Sequence, residues 1–262
     1  MDLYFNQDLV PSVDAAILRY RATEFESPTR STVPLLSWLK HEQPMLGELL
    51  QALGMPPDCT LHLEYTVAPP QGHGKASHTD LMIQSPEAAL ALEAKWTEPR
   101  YETVAKWMTK GTKPQNRCQN RCNVLAGWLS LLQPYALRPL HIKDFTDAVY
   151  QMVHRAASAC ADNGRAPRMA YLVFQPSPST QTVDTRTMRA DLSHLWHLLG
   201  CPPSFPFYFM EMHIHPTPTF RAIASLKKGC PDTAHQVRLL LGGSEQLFMF
   251  EKCCVAREEE TP

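Results

Sequence analysis

The alternation of apolar and polar residues changes period repeatedly along the chain, and prolines and glycines mark most of the changes. The first forty residues lean to helix. With Ser31 or Thr32 as a cap ahead of Pro34, residues 35–43 (LLSWLKHEQ) predict one helix. Pro44 breaks it, and residues 45–53 (MLGELLQAL), closed by Gly54, predict a second. Residues 59–67 (CTLHLEYTV) then switch to period two. There Leu61, Leu63 and Tyr65 alternate against His62, Glu64 and Thr66, the pattern of a half-buried strand. Two further runs, 79–84 (TDLMIQ) and 90–96 (LALEAKW), flank the short turn Ser85-Pro86-Glu87-Ala88. Three consecutive strands with tight connections predict an antiparallel meander.

Beyond Pro114 the period returns to that of a helix. Cys118, Cys122, Leu125, Leu129 and Leu132 recur at spacings of four and three, while Arg117 and Arg121 share another face. Residues 144–160 repeat the stripe through Phe145, Val149, Met152 and Ala156 and stop before Asn163-Gly164. The nearly continuous apolar run 168–175 (RMAYLVFQ) predicts a strand buried on both faces. A helix over 187–200, a strand over 205–215, a helix over 232–241 and a strand over 246–255 complete the chain. The order is that of a mixed α/β sheet flanked by helices, with additional C-terminal helices and strands. Residues 1–43 read as an N-terminal helical extension and residues 44–262 as a single domain.

Composition narrows the function classes. Of 262 residues, 44% are apolar and 19% charged, which excludes a disordered tail, a coiled coil and a collagen-like chain. No run approaches the ~20 apolar residues of a membrane span, and Asp2 with no apolar stretch after a basic start is unlike an export signal. The expected setting is the cytoplasm, with no membrane partner and with the eight cysteines as reduced thiols. Net charge is only −1, yet the segment 95–121 carries Lys95, Arg100, Lys106, Lys110, Lys113, Arg117 and Arg121 against Glu98 and Glu102. That segment is suited to an anionic partner.

The candidate chemistry lies on the third strand of the meander. A Glu-x-Lys triplet means little alone, but in a strand Glu93 and Lys95 project to one face while Leu92, Ala94 and Trp96 project to the other. An even turn centred between Pro86 and Glu87 sets Asp80 opposite Glu93. Two carboxylates facing each other across a strand pair destabilise it unless a cation lies between them. A divalent metal fits that need, since Mg²⁺ takes one or two carboxylates together with water and a substrate phosphate. Lys95 beside it would orient the attacking water or stabilise charge on a pentacoordinate phosphorus.

With a helix carrying Glu48, a strand carrying Glu64, then TDLMI (Asp80), LEAKW (Glu93, Lys95) and a basic helix, residues 44–175 resemble the PD-(D/E)xK nuclease superfamily. Thr79 stands where the superfamily's name has Pro. The resemblance implies a restriction-endonuclease-like fold and phosphodiester cleavage by Asp80, Glu93 and Lys95, with Asp80 and Glu93 holding Mg²⁺, for which Mn²⁺ substitutes. It implies further roles for Glu48, in the position of a first-helix Glu, and for Gln115 or Gln119 after the Lys; Glu64 is a further candidate on its strand. Lys106, Lys110, Lys113, Arg117 and Arg121 would meet phosphates, of DNA in preference to RNA. Cutting both strands with one active site per chain suggests a homodimer. A role in restriction or defence against foreign DNA follows by analogy only.

Each of these residues has a plainer explanation. Asp80, Glu93 and Lys95 would also suit a surface ion network, and Glu48 and the basic series a solvated face. Two rival functions stand beside the nuclease: a non-catalytic nucleic-acid-binding or assembly module on the same fold, and a His-ligated metalloenzyme. The latter would use Glu211, His213 and His215, alternate residues on one face of the late strand. The loop GHGKASH has the Gly and Lys of a phosphate loop without its spacing, and reads as a strand connection near substrate.

Overall fold

The computed structural model describes residues 1–111, 114–162, 164–178 and 184–259, with the backbone alone for 114–118. The elements are β1 (Leu3–Phe5), β2 (Asp8–Val10), α1 (Val13–Arg19), α2 (Thr32–His41), α3 (Gln43–Ala52), β3 (Thr60–Val67), β4 (Ser77–Gln84) and β5 (Ala88–Lys95). They continue with α4 (Val104–Thr109), α5 (Pro114–Leu132), α6 (Tyr150–Ala159), β6 (Ala166–Gln175), α7 (Thr185–Leu198), β7 (Phe207–Pro216), α8 (Pro218–Ala224), α9 (Pro231–Gly242) and β8 (Phe248–Arg257). Among the described residues eight strands join one mixed sheet in the order β2-β1-β3-β4-β5-β6-β7-β8. The β3-β4-β5 meander is antiparallel, and β6 and β7 then add parallel to β5. Among the described residues no helix is long and apolar enough to cross a membrane.

Both faces of the sheet are covered. Leu90, Leu92, Ala94 and Trp96 of the β5 region point into one core with Leu172, Phe174 and residues of α2, α3 and α9. Ala89 and Ala91 point into the other with Tyr171, Val173 and residues of α5, α6 and α7. The alternation expected along β5 is therefore present, but every residue of the strand is buried, so its polar face is enclosed and not displayed to solvent. Small residues make the enclosure possible. Ala89 and Ala91 share a core with Ala156 and Ala157 of α6, which packs on β5 and brings its own polar residues to Glu93.

The N-terminal region departs from a helical extension. β1 and β2 extend the sheet beside β3, and Phe25, Leu36 and Trp38 are fully buried in the same core as the meander. Strands of three residues are too short to show a period of two, and β1 finds its partner, β3, more than fifty residues away. The helix expected from residue 144 starts at Tyr150, because residues 102–105 pair with the backbone of 146–150 through Val104 N to Ala148 O (2.8 Å) and Tyr150 N to Glu102 O (3.1 Å). Cys122, on the same helical stripe as the buried Leu125, Leu129 and Leu132, is half-buried.

The loop between β3 and β4 is seated on α5. Asn120 accepts from His73 N and donates to His73 O, both at 2.7 Å. Gly127 allows the close approach, since a Cβ there would lie 2.8 Å from Gln71 N. Gly127→Ala gains about 1 kcal/mol of helix propensity but forces that contact apart at about 1–3 kcal/mol. A lowered melting temperature is expected, and a raised one would show that the loop is not seated on α5.

Candidate active site

The β4-β5 ladder runs from Gln84↔Ala89 to Leu81↔Leu92, the register expected from the turn, and stops one pair short of Asp80 and Glu93. The strands part where the two carboxylates would face each other. Asp80 Oδ2 instead accepts Ala94 N at 2.8 Å, while Oδ1 accepts no hydrogen bond among the described residues. On the other side of β4 the β3 ladder skips Glu64, which adopts φ 53° between Leu63↔Leu81 and Tyr65↔Thr79. A left-handed non-glycine residue costs about 1 kcal/mol or more and is held here by its surroundings, including Asn6 Oδ1 accepting Thr66 N at 3.1 Å. Glu64, Asp80, Glu93 and Lys95 thus line one cavity of about 240 Å³.

Glu93 is the best-satisfied group in the site. Oε1 accepts from Lys95 Nζ (2.7 Å) and Gln151 Nε2 (2.8 Å), and Oε2 from Arg155 Nε (2.5 Å). Burial would raise its pKa, but Arg155 and Lys95 outweigh burial and hold the carboxyl below its ordinary value. Lys95 is buried at 4% exposure, and Glu93, with help from Tyr101 and Asp80, more than offsets burial and raises its pKa. It is a lasting cation and cannot serve as a base near neutrality. At Asp80 and Glu64 the neighbouring cations do not outweigh burial. Burial first, then Glu93, pushes Asp80 up to about 7; burial first, then Asp80, pushes Glu64 up to about 8.

The cavity is lined by Glu24, Glu64, Asp80, Glu93 and Glu98 against Arg30, Lys95 and Arg155, which leaves two negative charges in excess when all are ionised. One divalent cation would neutralise that excess. The donor count allows it. Asp80 keeps Oδ1, and Glu93 keeps one lone pair on Oε2 after its three hydrogen bonds. Among the described residues no three His, Cys, Asp or Glu side chains are grouped closely enough to hold an ion. The set suits Mg²⁺, which keeps waters and open positions, and does not suit a structural zinc site.

The remaining candidates disperse. Glu48 is exposed on α3, and Gln119 is exposed and donates to Asn123 Oδ1 at 3.1 Å; neither lines the cavity. Lys113 and the side chains of Gln115 and Arg117 lie outside the described residues. Lys106 is exposed, Lys110 pairs with Glu102 at 3.0 Å, and Arg121 donates to Met108 O with its guanidinium 5.5 Å from the Trp107 ring centre. Glu211, His213 and His215 form no three-ligand group, and His215 instead meets Glu251 of β8 at 2.7 Å.

Gln151 and Arg155, which hold Glu93, are among the site residues that the sequence did not single out. Together with Ser158 they are buried on α6 at spacings of four and three. Polar residues repeating with the helical period inside an apolar stripe were the available signal. Arg155 Nη1 also donates to Ser77 Oγ (2.7 Å), which contacts His154 Nδ1 (2.9 Å), so one network ties α6 to the start of β4.

Asp80→Asn follows as a prediction. A carboxyl whose folded pKa lies above its unfolded value loses stability as pH rises from about 4 through about 7, and the loss is complete above that. At pH 8 in EDTA the amide should therefore be more stable by on the order of 1–3 kcal/mol, with a flatter stability profile between pH 4 and 7. A lower melting temperature for the variant would show that Asp80 is stabilised by a cationic side chain.

A family model covering residues 13–208 matches the chain, a span that holds every residue lining this cavity. The chain belongs to the family described as a domain of unknown function, DUF6946. Its domain ends at the first residues of β7, so α8, α9 and β8 lie beyond the match. No curated protein and no solved structure matches.

Proposed function

We propose that this chain is a Mg²⁺-dependent nuclease that hydrolyses phosphodiester bonds of DNA on a restriction-endonuclease-like core of the PD-(D/E)xK type. The observation that carries this reading is the convergence of Asp80, Glu93 and Lys95, from adjacent antiparallel strands, on one polar cavity. The helix, three-strand meander, helix and parallel strand around it support the fold assignment. Asp80 and Glu93 would hold the metal, with Glu64 beside them. Bound there, Mg²⁺ would supply Lewis acidity and an activated water. Lys95, kept cationic by Glu93, stabilises the negative charge that develops on phosphorus, and Arg155 and Gln151 hold Glu93 in place for both partners.

Purified protein incubated with plasmid, linear duplex, single-stranded DNA and RNA should cut DNA in Mg²⁺ or Mn²⁺ and not in EDTA. No cleavage in any combination would overturn the proposal. A second reading rests on the completeness of the Glu93 network, which satisfies three cationic or amide donors without a metal. On that reading the chain binds nucleic acid and cuts nothing. Salt-dependent DNA binding with no metal-dependent turnover would support it.

A further inference from the structure

A second cavity, of about 510 Å³, adjoins the first and shares His78, Tyr101, Gln151 and Arg155 with it. Its chemistry is different. The acidic cavity repels an anion until a cation enters, whereas among the described residues the larger one is lined by Lys75, Arg121 and Arg155, the last paired with Glu93, and by one acid, Glu102, which Lys110 already pairs at 3.0 Å. Part of its wall is aromatic, from Tyr101, Trp107, Trp128 and Tyr150: Trp107 and Tyr150 stack at 3.8 Å and 11°, and Trp128 Nε1 donates to Tyr150 Oη at 3.2 Å. Cations beside flat apolar rings, in a space within the usual 300–1,000 Å³ of small-molecule sites, match a nucleotide: phosphate for the cations, base for the rings. The mouth is preformed, because Asn120 clamps the backbone of His73 and Gly72 allows the loop to touch α5.

We infer that this cavity holds one unpaired nucleotide beside the scissile phosphate, so that the substrate is a strand with a base free to leave the stack. The inference rests on the nuclease reading for the word scissile and on the cavity alone for the nucleotide. A base inside a duplex cannot reach an aromatic wall without being unpaired first. Single strands, frayed ends and flaps are therefore favoured over intact duplex.

Three measurements on the full chain test this. In Ca²⁺, binding of a labelled twelve-residue oligo-dT should fall by about 5- to 150-fold in Trp107→Ala, the range for losing one base stack. Binding of a blunt duplex should change less than about twofold, and Trp107→Phe should restore most of the oligo-dT affinity. Arg121→Gln should reduce the salt slope for oligo-dT by about 0.7, which decides the matter if Trp107→Ala does not fold. Saturation-transfer NMR with dTMP should label the base protons in the wild type and lose that labelling in Trp107→Ala. Unchanged oligo-dT affinity and slope in the variants, or no transfer to dTMP in the wild type, would overturn the inference, while Mg²⁺-dependent cleavage would leave the nuclease standing. Trp107-dependent dTMP binding without any cleavage would uphold the cavity's ligand and sink the nuclease.

Discussion

Lys95→Met should lower Mg²⁺-dependent cleavage by at least about 100-fold while the protein still folds. Methionine keeps the buried stem and removes only the charge. Lys95 is a cation at every working pH, so its contribution is to the charge of the transition state and not to proton abstraction. Stability should also fall, since Glu93 Oε1 would retain Gln151 alone, at a cost of about 1–3 kcal/mol. Melting curves in EDTA separate the two effects: for a chain of this size each kcal/mol moves the midpoint by roughly 2–4 °C. Cleavage at the wild-type rate by a folded Lys95→Met protein would remove Lys95 from the chemistry.

Arg155→Met has the larger structural consequence. Arg155 and Glu93 form a buried pair at 9% and 2% side-chain exposure. Removing the guanidinium leaves a buried carboxylate with Lys95 and Gln151 only, and breaking such a pair costs about 3–5 kcal/mol. The loss should shrink as pH falls, because the depressed pKa of Glu93 then rises and the carboxyl takes up a proton on folding. Pairing the change with Glu93→Gln, which also takes the carboxylate from Lys95, should cost less than the sum of the two single losses, because the guanidinium–carboxylate pair is then lost only once. Additive losses in the double variant would show that the two side chains act independently.

The elements around the site were legible in the sequence, and the reason is their length. β3, β4 and β5 run for eight residues each, enough for the alternation to stand out, and the even turn at 85–88 fixed which residues face each other. Leu81 does oppose Leu92, and Asp80 and Glu93 do share a cavity. β1 and β2 were not legible, because three residues show no period and the partner strand is distant in the chain. The enclosure of Glu93 was missed for a related reason. Alternation reports which face a side chain takes but not what covers that face, and here α6 covers it with Gln151 and Arg155. Glu48 failed because an acid on a helix is visible in sequence while the direction it points is not; α3 turns it to solvent. Of the basic series, Lys110 pairs with Glu102, whereas Arg121 lies beside Trp107 on the wall of the larger cavity.

The most direct test of Asp80 as a metal-binding carboxylate is the rate at which supercoiled plasmid is nicked in Mg²⁺ at pH 8 by the wild type and by Asp80→Asn, prepared identically and each with its melting temperature in EDTA. A metal-binding carboxylate that burial and Glu93 destabilise in the free protein predicts opposite movements: a higher melting temperature and a nicking rate lower by at least about 100-fold. Equal nicking by the two proteins would contradict it, as would a variant that loses stability and activity together.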